Sequence, residues 1–126
     1  MIFLITEKIN QQRLNDICSA HFKSFMKIVV DVQRKILTGG GELHSDGEAM
    51  LLSNGSSQNQ LWGANYYPAK PAKERLEFTA LINIRPSDKN FNMEVEDPHI
   101  REEIQDIAET LLLSSTEQFS PEKTGS

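Results

Sequence analysis

The sequence predicts an α+β fold, an antiparallel sheet of about five strands with an N-terminal and a C-terminal helix packed on one face. Three observations lead there. β-Branched residues concentrate at 26–32 and again from Ile36, with only Gln33-Arg34-Lys35 between them, short enough for a connecting turn. Apolar residues recur at helical spacing near both ends of the chain. An aromatic-rich segment at 61–67 lies between an Asn54-Gly55 turn signal and Pro68.

Residues 1–5 are apolar and read as a short buried strand. Asn10 suits an N-cap, because its side chain accepts from free backbone N–H groups, and Ile9 with Leu14 can form a hydrophobic staple. Leu14, Ile17, Cys18 and His21 then make one stripe on a helix of about 10–21, with Cys18 a buried, inert thiol and His21 near the last carbonyls. Strands follow at 26–32 and from about 36, and Gly39-Gly40-Gly41 marks a bulge or bend.

Residues 42–52 admit two readings. Ser45 and Glu48 would form a capping box at the start of a helix over 45–53. The preferred reading is a strand, because polar and apolar residues alternate through residue 49, Gly47 would fall in a first helical turn, and Asn54-Gly55 suits a hairpin. Leu61–Tyr67 is the returning strand, with Trp62, Tyr66 and Tyr67 packing in the core or at the sheet edge. A further strand at 76–84 is stopped by Pro86, and 87–96 is an irregular loop. Asp97 caps a last helix with Pro98 in its first position, and Ile100, Ile104, Ile107, Ala108, Leu111 and Leu112 form its apolar stripe. Ser, Thr, Glu, Pro, Lys and Gly dominate from Ser114, which predicts a single domain over 1–113 and a disordered tail over 114–126.

Hydrophobic residues at 38% and charged residues at 25% of 126 are enough for one soluble core. A net charge of -5, with Lys27, Arg34 and Lys35 scattered, argues against nucleic acid and against anionic membrane surfaces. No apolar run nears the roughly 18 residues of a membrane span. With one cysteine there is no intramolecular disulfide, and a reducing, cytoplasmic setting is expected.

As a strand, 42–48 would place Glu42, His44, Asp46 and Glu48 in one row on one face. By the same parity Asn83 and Arg85 share a face, as do Gly63, Asn65 and Tyr67, so the row could meet Asn65, Asn83 and Arg85. Imidazole and carboxylates are usual metal ligands, making His44 and Asp46 the candidate pair, although no cofactor is specified. Clustered carboxylates beside His44 also suit acid–base chemistry, with His44, Asp46 and Glu48 as catalytic candidates. The other readings are a solvated sheet face and a binding surface formed by Glu42, Asn65, Asn83 and Arg85. Neither a Gly-Xaa-Ser-Xaa-Gly elbow nor a phosphate-binding loop is present.

The strings Glu42-Leu43-His44-Ser45-Asp46-Gly47-Glu48, Leu61-Trp62-Gly63-Ala64-Asn65-Tyr66-Tyr67-Pro68, Leu81-Ile82-Asn83-Ile84-Arg85-Pro86 and Asp97-Pro98-His99-Ile100-Arg101 together resemble a small bacterial family, also found in cyanobacteria, classed as a domain of unknown function. The resemblance covers roughly residues 1–113. It implies a bacterial cytoplasmic protein and carries over no catalytic residue. The function expected is a protein-interaction or ligand-binding module using the sheet's polar face or an edge, with a protein partner, a second copy or a small molecule as its target. The alternative is a metal-assisted or acid–base hydrolytic enzyme centred on His44 and Asp46.

Overall fold

The structure, a computed structural model, describes residues 1–121. The elements are β1 (Ile2–Ile5), α1 (Gln11–His21), β2 (Met26–Asp31), β3 (Ile36–Gly40), α2 (His44–Ser53), β4 (Leu61–Tyr66), β5 (Leu76–Glu77) and α3 (Pro98–Leu111), with short 3-10 turns between β3 and α3. The five strands form one antiparallel sheet in the order β1-β3-β2-β4-β5.

Period-two alternation sorts the sheet into two faces. Met26, Ile28 and Val30 of β2, with Trp62, Ala64 and Tyr66 of β4, join Leu14, Ile17, Ile104 and Leu111 in the larger core. Thus α1 and α3 cover one face, as their positions at the two ends of the chain predict. Asn10 Oδ1 accepts from Arg13 N at 2.8 Å, and Asp97 Oδ1 accepts from His99 N at 2.8 Å, so both predicted caps form. Cys18 is buried in this core, which pushes its thiol up to about 12 and keeps it protonated. The predicted β2–β3 turn is held by Asp31 Oδ1, which accepts from Gln33 N and Arg34 N at 2.9 Å each.

The first correction concerns residues 42–52, which from His44 on belong to a helix, His44–Ser53, rather than to a strand. β3 and β4 both run antiparallel to β2 and flank it, so they are parallel to each other. Parallel strands cannot be joined by a hairpin and require a crossover, which α2 supplies across the second face. Gly40 and Gly41, at φ 100° and 84°, turn the chain out of β3. Gly47 is not a helix breaker here. A Cβ on it would lie 2.5 Å from Thr38 Oγ1 and 2.9 Å from Val29 Cγ2, so its bare backbone lets α2 lie directly on the sheet. No capping box forms, since Leu43 is the N-cap and no side chain caps it. Asn54-Gly55 ends this helix instead of making a hairpin: Gly55, at φ 102°, donates to Leu52 O while Ser56 N donates to Leu51 O, the paired bonds of a Schellman cap. Leu51 packs with Val29, Ile36 and Leu61 in a second, smaller core beneath α2.

The second correction concerns 76–84. Only Leu76 and Glu77 pair with β4, and Leu81–Asn83 forms a 3-10 turn. β1 is an edge strand, half-buried apart from Ile5, rather than fully buried. Residues 114–120 are held against the domain: buried Arg75 donates from Nη1 to Ser114 O and from Nη2 to Glu117 O, and Ser120 N donates to Gln11 Oε1. The last part of the expected tail, 122–126, lies outside the described residues.

Candidate functional site

The site grows from the two places where the second face departs from regular pairing. The first is the start of α2. His44 opens this helix, and its Nε2 lies 2.9 Å from Ala64 O in β4. A carbonyl can only accept, so Nε2 carries the proton and Nδ1 keeps its lone pair. Burial is the main reason the ring's pKa falls below 6.5. The Ala64 carbonyl opposes that shift, the Lys27 charge adds to it, and the Asn65 side chain opposes it. The net effect is a neutral imidazole at pH 7.

The second place is the open edge of β4. Because β5 reaches only Asn65 and Tyr66, residues 61–63 have no strand alongside on that edge. Side chains from 83–85 fill it. Asn83 is fully buried; its Oδ1 accepts from Gly63 N at 2.8 Å and its Nδ2 donates to Gly63 O at 3.0 Å and to Met93 O at 3.0 Å. Arg85 donates to Leu61 O at 2.7 Å, pairs with Asp88 at 2.9 Å, and lies over the Trp62 ring at 4.2 Å. Asn90 ties the same segment together by donating to the carbonyls of Asn83, Asn92 and Glu94. Gly63 is where helix, loop and sheet converge: a Cβ there would lie 2.5 Å from Ala80 Cβ and 3.2 Å from both His44 Cδ2 and Ile82 Cδ1.

Between these pieces opens a cleft of about 350 Å³. Its polar lining is Lys27, His44, Ser45, Asn65 and Thr79. Leu43, Leu81, Ile82 and Met93 form its apolar wall, and Leu43 and Leu81 are 56% and 70% exposed. Lys27 and Asn65 are direct cross-strand partners, which sets them side by side. Asn65 Nδ2 donates to Glu77 at 2.7 Å, while its Oδ1 is shut from solvent and meets no donor at hydrogen-bonding geometry. A larger groove of about 510 Å³ runs between Lys35 and α3, but its charged lining residues, Lys35, Glu103 and Asp106, are all exposed.

The predicted site residues are therefore dispersed. His44 and Asn65 come together in the cleft. Glu42 and Asp46 share a separate open depression beside His21, whose Nδ1 is 3.9 Å from Glu42. Residues two apart on a helix point in nearly opposite directions, which is why His44 and Asp46 part company. Glu48, one turn beyond His44, is half-buried, and its Oε2 is shielded without a hydrogen-bond donor. Asn83 and Arg85 are bound to backbone carbonyls rather than facing the cleft. Among the described residues no three His, Cys, Asp or Glu side chains converge to hold a metal ion.

Sequence reasoning missed Lys27, Thr79 and the apolar wall. For Lys27 half of the signal was there: strand parity puts it with Val29 in strand 26–32, but only the register with β4 sets that face beside Gly63 and Asn65. Thr79, Leu81 and Met93 come from irregular backbone, for which no periodicity exists to read.

The model of a protein family described as "Protein of unknown function (DUF5674)" matches residues 3–111. No curated protein and no solved structure matches the chain. Among the described residues no helix is long and apolar enough to cross a membrane.

Proposed function

The chain belongs to the DUF5674 family, and from that premise, which assigns no activity, we propose that it is a small-molecule-binding domain whose site is the His44 cleft. The observation that carries this reading is the pinned imidazole. A backbone carbonyl and burial fix both its orientation and its neutral tautomer, and the Asn65 side chain is its other polar neighbour. Ligand sites are typically concave and largely apolar, with a few fixed polar groups. The cleft has that composition, and the sheet's second face, covered by α2 over Val29 and Thr38, does not offer the open polar surface expected from the sequence.

A fragment titration of the isotopically labelled chain, followed by NMR, tests this. Shift changes should cluster at Lys27, His44, Asn65, Leu81 and Met93. Changes confined to other surfaces, with those residues still, would contradict it.

Strand addition at β1 is the second reading. Its outer edge is unpaired, whereas β5, the other edge, is only two residues long.

A further inference from the structure

We infer that the ligand of this cleft is a small monocarboxylic acid with an apolar body. The inference rests on the cleft reading and adds the chemical class. Among the described residues Lys27 is the one charged residue lining the cleft, in a chain whose net charge is -5. Its ammonium lies 5.4 Å from the Phe22 ring centroid, and among the described residues it makes no ion pair or hydrogen bond. A half-buried cation without a counter-charge is an incomplete arrangement that a bound anion completes.

Three further features narrow the anion. The first turn of α2, whose N-cap Leu43 offers no side-chain cap, lines the same cleft through Leu43, His44 and Ser45, adding the positive end of a helix dipole to the lysine. The hydroxyls of Ser45 and Thr79 have no hydrogen-bond partner among the described residues and can donate to carboxylate oxygens. The count of formal charge is one: a single ammonium, a neutral imidazole and no arginine. A monoanion matches that better than a phosphate dianion, for which arginine forks are the usual partner. The ligand's apolar body would lie against Leu43, Leu81, Ile82 and Met93, three of them well exposed without it and Ile82 half-buried.

The test compares hexanoate, its neutral counterpart hexanamide, and hexyl phosphate by NMR titration of the full chain, repeated on Lys27→Met and Lys27→Arg. Hexanoate should shift cleft resonances and bind at least about tenfold tighter than hexanamide, the advantage expected of a charge-assisted hydrogen bond. Lys27→Met should erase that difference, Lys27→Arg should keep most of it, and added salt should weaken hexanoate alone. Both variants should otherwise retain the native spectrum, since Lys27 lies on the surface of a well-paired strand. Equal binding of hexanoate and hexanamide, or an unaffected Lys27→Met, would overturn the acid while leaving the cleft standing. Tighter binding of hexyl phosphate would overturn the monoanion. If neither these probes nor any fragment moved the cleft residues, the acid and the cleft reading would fall together.

Discussion

At Gly47 the absence of one methyl group sets the height of a helix above its sheet. An added Cβ would sit 2.5 Å from Thr38 Oγ1 and 2.9 Å from Val29 Cγ2, and neither neighbour is the far end of a flexible chain. Gly47→Ala should therefore destabilise the fold by about 1–2 kcal/mol, overpacking outweighing the gain of up to about 1 kcal/mol in helix propensity. A neutral or stabilising result in urea denaturation would mean that α2 does not lie on Thr38 and Val29. His44 makes a residue-scale prediction of another kind. Burial depresses its folded-state pKa below 6.5, so as pH falls the unfolded chain takes up the proton first. The stability it contributes is present above about pH 6.5 and is lost as pH drops through the lower, folded value. His44→Gln removes that titration, and its urea midpoint should fall less than the parent's between pH 7.5 and 5. An identical fall in both proteins would show that the ring is not buried neutral.

At the scale of elements, what could be read from sequence depended on whether the cause of an element lay inside it. α1 and α3 carry their caps and apolar stripes within a dozen or so residues, and β2 and β4 carry their alternation, so all four were legible. α2 was not, because Gly47 counts against a helix locally and the reason for it, contact with Thr38 and Val29, lies elsewhere in the chain. Asn54-Gly55 carries an ambiguity intrinsic to left-handed glycine, which serves a hairpin turn and a helix C-cap equally well. The segment expected as a strand to residue 84 instead pairs by side chain, Asn83 taking the place of a neighbouring backbone beside Gly63. Asn83→Ala would strand Gly63 N–H and Gly63 C=O in a buried setting, while Met93 C=O keeps its bond from Ala80 N. A loss of about 2 kcal/mol or more is expected, at 1–3 kcal/mol per unsatisfied group with partial relaxation. The loop that walls the cleft should loosen with it, read as faster amide exchange at Thr79, Ala80 and Val95. A loss below about 1 kcal/mol with unchanged exchange would show that Asn83 is not the tie.

For the molecule as a whole, one sheet is covered on both faces by different means. Two helices from the chain ends close one side, and a crossover helix with an irregular loop closes the other. The second side is where covering is incomplete, and the cleft is the gap between α2 and the loop. Of that site, sequence parity located Asn65 and named His44, but it grouped His44 with Asp46 through a strand that does not exist. It passed over Lys27, because one lysine in an acidic chain makes no pattern until the register sets it beside Asn65. His44 is a neutral ring, protonated on Nε2 and fixed in the wall of the cleft. A long-range 1H–15N spectrum of the His44 ring at pH 7, recorded free and with hexanoate, addresses this most directly. A protonated Nε2 and an unprotonated Nδ1 are expected in the free protein, with the ring resonances shifting as the acid fills the cleft and the tautomer unchanged. An imidazolium, the opposite tautomer, or a ring indifferent to every ligand that binds would contradict it.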